Sequence, residues 1–255
     1  MQPPLIVLAG APTWTAPVHA LLDQHGFAVL HQSDSETYQH QLTEQYVALI
    51  LVDGADPHWR FWVLTPKIEQ ATRRIPIVVL TADPDVIAAA RSSGADATLD
   101  PAALGAELVP LVRVRARIPD PERLSALDCD CQEALPPLAR QGVEKFNAGA
   151  FYAQHDAFEE QWMHDPRPVR DLYQGILQIG VAYYHIEHGN YRGGLKMLRR
   201  SVQWLALLPD VCQGVNVARL RADAARVRAT LEALPPGKRP DIDRNLFQPI
   251  ELIEG

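Results

Sequence analysis

Two stretches in the second half of the chain carry polar side chains at spacings that could do chemistry. His155, Glu159 and Trp162 follow the pattern HxxxExxW, and Gln174, Gln178 and His185 lie within YQGILQIGVAYYHIEHG. Residues three, four and seven apart share a face of an α-helix, so each set forms one stripe. The second stripe crosses an apolar background that includes Ile176, Leu177, Ile179 and Val181. Polar groups in such a background need partners. If the two segments pack as a helical hairpin, the stripes face each other as a buried polar cluster. Three chemistries fit it. His155, Glu159 and His185 offer two imidazoles and a carboxylate, a ligand set for a metal with an open position. Gln174 and Gln178 are poor ligands for transition metals but good hydrogen-bond partners, which suits a structural network closed at one end by Trp162. A small-molecule pocket walled by Tyr173, Tyr183 and Tyr184 is the third. Spacing leaves the choice open.

The elements that must position these residues are helical. Leu135, Leu138, Val143 and Phe146 give a first stripe, and Phe151–Met163 a second helix after the break at Asn147–Ala150. Val169–His188 is the third, stopped by Gly189 and Asn190. Tyr191–Leu208 is the fourth, and Val217, Leu220, Ala224, Val227 and Leu231 mark a fifth. Gly175 and Gly180 fall inside the third helix, where each costs about 1 kcal/mol relative to alanine. Close approach of a neighbouring helix or polar head would explain them, and Gly193–Gly194 suggests the same tight crossing. Pro235, Pro236 and Gly237 stop the fifth helix, and the tail to residue 255 is expected to be extended and docked in a groove.

The first half has a different pattern. Leu5–Ala9, Phe27–His31, Leu49–Asp53, Ile75–Thr81 and Ala97–Leu99 are short apolar runs separated by helical stretches. That alternation predicts a parallel sheet covered on both faces, with chemistry at the carboxyl ends of its strands. The expected fold class is therefore α/β plus all-α: a five-stranded, doubly wound domain over residues 1–117, a linker over 118–131 read from Pro119 and Pro121, a five-helix bundle over 132–234, and a tail over 235–255.

Composition narrows the function. The chain has 255 residues, 47% of them hydrophobic, and a formal charge of −7. That charge gives no general reason to bind nucleic acid. The arginines at 113, 115 and 117 and at 219, 221, 226 and 228 read as solvated helix faces. Three cysteines, Cys129, Cys131 and Cys212, suggest a reducing compartment with no disulfide framework. No apolar run is long enough to span a bilayer. The expectation is a cytoplasmic protein with no membrane or nucleic-acid partner.

The first half resembles the receiver domain of bacterial response regulators. Asp53 ends the third strand, where that family has its phospho-acceptor, and Thr81 ends the fourth, where the family has a responding Ser or Thr. The run from Ser93 to Ala97 matches the turn before the fifth strand. The departures are specific. The acidic pair that holds magnesium is replaced by Ala9-Gly10-Ala11, Asp100 stands where the family has a lysine before Pro101, and the aromatic switch position is Thr98. Phosphoryl transfer needs metal and cationic stabilisation of spread negative charge. The resemblance thus implies a degenerate receiver in which Asp53 and Thr81 are vestigial.

The second half resembles an all-helical family known as domain of unknown function family 309. The strings FNAGAFYAQHDAFEEQW, YQGILQIGVAYYH and HGNYRGGLKMLRRS carry the resemblance in order. It implies a compact helical bundle around a largely buried polar motif and no established activity. Together the halves suggest a non-enzymatic signalling or scaffolding protein. Its receiver-like module would mediate interaction or dimerisation, and its helical domain would recognise an unidentified protein or small molecule without a cofactor. The alternatives are a metal-assisted hydrolase centred on His155, Glu159 and His185, and a two-component output protein phosphorylated at Asp53.

Overall fold

The computed structural model describes residues 3–235 and 242–253, and the chain divides into two compact units, residues 1–118 and 119–255. Alternating side chains build the first unit. Its strands are β1 (Leu5–Ala9), β2 (Ala28–Gln32), β3 (Val47–Asp53), β4 (Ile77–Leu80) and β5 (Ala97–Leu99). All pair in parallel, in the order β2-β1-β3-β4-β5. Successive side chains of a strand point to opposite faces. Val7, Ile50, Val52 and Val79 accordingly enter one core, and Ile6, Leu8, Leu49 and Leu51 enter the other. The connecting helices are α1 (Thr15–Gln24), α2 (Tyr38–Glu44), α3 (Trp59–Ile68), α4 (Pro84–Ser92) and α5 (Leu104–Arg115). Strand order 2-1-3-4-5 is that of flavodoxin-like folds, whose crevice opens at the β1/β3 switch point. Asp53 stands there.

The second unit has more helices than periodicity predicted. Six α-helices are described: α6 (Pro121–Cys131), α7 (Pro137–Asn147), α8 (Phe151–His164), α9 (Arg170–Glu187), α10 (Tyr191–Leu205) and α11 (Val217–Glu232), with a 3-10 turn at Arg244–Leu246. The five-helix reading is corrected mainly at α6, which occupies the stretch read as a linker. Pro121 starts that helix rather than breaking one, because proline suits the first helical position. The Asp120 carboxylate accepts from the Glu122 N–H at 3.0 Å as its cap. Leu127 and Cys131 then enter the core.

A short hairpin, β6 (Val211–Cys212) with β7 (Val215–Asn216), also escaped periodicity, because two-residue strands have no period to read. Cys212 in that hairpin is bonded to Cys131 of α6. This corrects the expectation of no disulfide and removes the premise of the argument for a reducing compartment. Nearby, Arg167 bonds Asp165 at 2.9 Å and Glu133 at 2.7 Å. Burial pushes the Asp165 carboxyl up, but hydrogen bonds and charge from Arg167 outweigh it and hold it below its ordinary range. The arginines read as solvated faces are corrected too. Arg117 donates to the Val47 carbonyl and covers the Tyr46 ring. Arg221 donates to the Leu205 and Leu208 carbonyls after α10, and Arg228 is buried.

The described part of the tail is docked. Phe247 stacks on Tyr183 with centroids 4.4 Å apart, and Ile250 is buried. The Asn147 side chain donates to the Ile250 carbonyl and accepts from its N–H, at 2.9 and 2.7 Å. Pro236, Gly237 and the start of the tail at Arg239 lie outside the described residues. No helix among the described residues is long and apolar enough to cross a membrane.

The Cys131–Cys212 bridge joins residues 81 apart in sequence. By the loop-entropy relation, breaking it should lower stability by about 4 kcal/mol. Denaturant midpoints of the chain with and without a thiol reductant test this, and coincident midpoints would contradict it.

Candidate functional site

Two places gather the residues singled out from sequence, and they differ in how far their polar groups are satisfied. At the carboxyl edge of the sheet, polar groups close local turns. Asp53 is half-buried and its Oδ1 accepts from the Ala55 N–H at 3.0 Å. Thr81 is buried and its Oγ1 accepts from the Asp83 N–H at 3.1 Å. Asp100, in place of the receiver lysine, accepts from the Ala102 N–H at 2.8 Å and caps the turn Pro101–Ala103. Lys67 bonds Asp96 at 3.0 Å and the Ile75 carbonyl at 3.1 Å.

Sequence reasoning missed Asp56 and Trp62. The Asp56 carboxylate accepts from the Trp62 indole N–H at 3.1 Å and from the His58 N–H at 2.7 Å. This pair packs on Gly10, where the resemblance would place the magnesium-holding acids. Gly10 has φ +93°, and a Cβ there would lie 2.6 Å from Asp56 Oδ2. Glycine is therefore needed at that position both for backbone conformation and for space. Gly10→Ala should destabilise the first unit by about 1–3 kcal/mol, through strain and displacement of Asp56. An unchanged denaturation midpoint would contradict the packing described.

In the second unit, α8, α9 and α10 enclose a half-open cavity of about 460 Å³. The α8 wall carries His155, Glu159 and Trp162, and α9 contributes Gln174, Gln178 and His185. All six residues picked out by spacing therefore line one cavity. Sequence reasoning missed Tyr152 and Asp156 on α8 and Met197 and Arg200 on α10. Tyr152 and Asp156 were legible in principle, since they lie three residues before His155 and Glu159 on the same face.

Burial is graded across the cluster. Gln178 is 8% exposed, whereas the His155 and Glu159 side chains are 33% and 48% exposed. The imidazole Nδ1 of His155 lies 3.4 Å from Asp156 and 3.9 Å from Glu159. The closed network considered from sequence is not formed. Gln178 Oε1 and Trp162 Nε1 are buried without a hydrogen-bond partner among the described residues. The fully buried glutamine is instead Gln154, which donates to the Leu177 carbonyl at 3.4 Å. The other groups have local roles. Arg170 lies 4.3 Å over the Trp162 ring, and Asn190 Nδ2 lies 3.3 Å from His185 Nδ1. His155, Glu159 and His185 do not bring three ligand atoms close enough together to share one ion.

The glycines explain why α8 and α10 come so near α9. A Cβ on Gly180 would meet the Gln154 carboxamide at 2.3 Å, one on Gly175 would meet Leu205 at 2.3 Å, and one on Gly194 would meet Ile186 at 2.6 Å. Gly193 differs from the tight crossing expected of it. It clears the Asn190 side chain, whose Oδ1 accepts from the Gly193 N–H at 2.9 Å to cap α10.

The helical unit matches a known family. Residues 139–197 fit the family described as Domain of unknown function (DUF309). The DUF309 segment contains all six cavity residues read from spacing. An uncharacterised protein of Aquifex aeolicus (strain VF5) is 24% identical over 143 residues, covering 56% of this chain and 40% of that protein. The matched region thus spans less than half the length of that relative. Among solved structures, the receiver domain of a sensor histidine kinase from Pseudomonas aeruginosa PAO1 is 19% identical. It covers 45% of this chain and 98% of that one, with a TM-score of 0.40. A response regulator from Burkholderia pseudomallei is 13% identical, covering 61% of this chain and 92% of that one, with a TM-score of 0.37. The receiver-like description of the first unit rests on its strand order.

Proposed function

We propose that this is a non-enzymatic, two-domain recognition protein of a signalling or scaffolding kind. The helical unit is its reader, and the cavity between α8, α9 and α10 takes an unidentified small molecule or a segment of a partner protein. The observation that carries this reading is the unsatisfied floor. Leaving a buried polar atom unpaired costs about 1–3 kcal/mol. Gln178 bears that cost at its buried Oε1, and the residue lines a cavity of chemically diverse side chains. On this reading a ligand recovers it by bonding the Gln178 carboxamide once that group turns toward the cavity. The metal-assisted hydrolase reading has less support, because His155, Glu159 and His185 do not form a ligand set.

The receiver-like unit is an interaction module that does not take up phosphoryl groups. Asp53 has neither a neighbouring carboxylate pair on β1 nor the lysine before Pro101, and the Asp56–Trp62 pair packs on Gly10. Incubation with acetyl phosphate and magnesium should give no covalent adduct by intact mass. A stoichiometric adduct that disappears in Asp53→Asn would overturn this half of the reading and favour the two-component alternative.

A further inference from the structure

A second surface of the helical unit already holds an extended chain, its own tail, and the tail shows what that surface reads. Asn147, Tyr183, Gly214, Asn216 and Arg219 form it, and none of them lines the cavity between α8, α9 and α10. Main-chain bonds do much of the holding. The Asn147 carboxamide takes both peptide groups of Ile250. The Asn216 N–H donates to the Glu251 carbonyl at 2.9 Å, and the Ile253 N–H donates to the Gly214 carbonyl at 2.7 Å. Leu252 pairs with Val215 in antiparallel fashion. The tail thus adds a third strand to the β6–β7 hairpin, the way sheet edges take peptides. Without it, Asn147, the Asn216 N–H and the Gly214 carbonyl present groups that another extended chain would satisfy.

Side chains are read at three points. Phe247 stacks on Tyr183 and meets Phe151 edge-on at 5.9 Å. Ile250, three residues on, is buried. Glu251 follows, and its carboxylate accepts from the Asn216 side chain at 2.8 Å and from Arg219 at 3.2 Å. Pro249 is exposed and fixes the backbone just before Ile250, which lowers the entropy cost of docking. The seat is unlike that of a core element. Ile250 is the one buried residue among the described residues of the tail, and Leu252 and Ile253 are 36% and 42% exposed. Upstream, Arg244 bonds Glu187 at 2.9 Å beside a half-open cavity of about 410 Å³ that Ile186 and Tyr191 also line. Few buried contacts and a gap against the helices mark a segment that opens locally at low free energy, whereas close-packed core elements leave no such space.

We propose that this groove is a peptide-docking site for a partner protein and that the tail is its built-in competitor. The partner segment is extended. It carries an aromatic residue, an isoleucine or leucine three positions on, and a carboxylate next to that. It docks when the tail lifts, and it remakes the bonds the tail gives up. Binding is therefore weak until the tail is weakened.

Fluorescence anisotropy of a labelled peptide with the sequence of Asn245–Ile253, titrated with the full chain, tests this. Ile250→Asp in the chain's own tail leaves every groove residue in place. That variant should bind the peptide at least about tenfold more tightly than the parent, because the closed tail lowers the fraction of chains able to bind. Adding Asn147→Ala should cancel the gain, and a peptide carrying the Ile250→Asp change should not bind. Equal binding by parent and Ile250→Asp, or binding indifferent to Asn147→Ala, would overturn the proposal. Hydrogen exchange on the parent decides the matter if Ile250→Asp does not fold. The Ile250 and Ile253 amides should exchange at least about tenfold faster than those of Ile176 and Ile179 in α9. One common rate would show that the tail leaves only with global unfolding, and would overturn the proposal. A concentration-dependent dimer of the parent, lost in Ile250→Asp, would overturn the foreign partner and give the groove to the tail of a second copy.

Discussion

Everything in the helical unit depends on how closely α8 and α10 approach α9. That approach requires glycine at 175 and 180, where a methyl group would overlap Leu205 and Gln154, and at 194, where it would overlap Ile186. Each helical glycine is unfavourable by about 1 kcal/mol relative to alanine, so the packing it permits must return more. Most of α9 is buried as a result, including Tyr173, Ile176, Ile179 and Tyr183. The same approach brings the polar stripe of α9 against the polar stripe of α8. The cavity is therefore a consequence of the crossing, and its floor is held by a rigid, central element rather than a loop, which favours precise recognition.

The two candidate places handle their polar groups differently. At the sheet edge Asp53, Asp56, Thr81 and Asp100 each accept a nearby N–H. Gln178 and Trp162, which line the cavity of the helical unit, keep buried atoms without a hydrogen-bond partner. Natural cores rarely leave such atoms, and a protein that keeps them is trading stability for something else. On the proposed reading, recognition belongs to the helices and the receiver-like half supports it.

Much of this was legible in the sequence, for physical reasons that also explain the failures. Strands with continuous Val, Ile and Leu announced a sheet buried on both faces, and the five strands lie on those runs. Steps of three, four and seven placed His155, Glu159, Trp162, Gln174, Gln178 and His185 on facing stripes, because helical periodicity is local. What periodicity could not carry was partnership at long range. The bond between Cys131 and Cys212, the seat of Ile250 on Asn147, and Arg221 under the end of α10 join residues far apart in sequence. Pro121 misled because the same residue that ends one helix begins another. Gln154 was overlooked because one polar residue on an α8 face has no stripe to announce it, though its carboxamide sits where a Cβ on Gly180 would lie.

The central claim is that the polar floor serves a ligand and not the fold. The most direct measurement is the denaturant midpoint of Gln178→Leu against the parent chain, without ligand. Leucine is close in volume and carries no unpaired oxygen into the cavity floor. If the floor serves recognition, the variant should match the parent or exceed it by up to about 1–2 kcal/mol. A loss of about 1–3 kcal/mol would show that Gln178 belongs to a satisfied structural network, and would contradict the account.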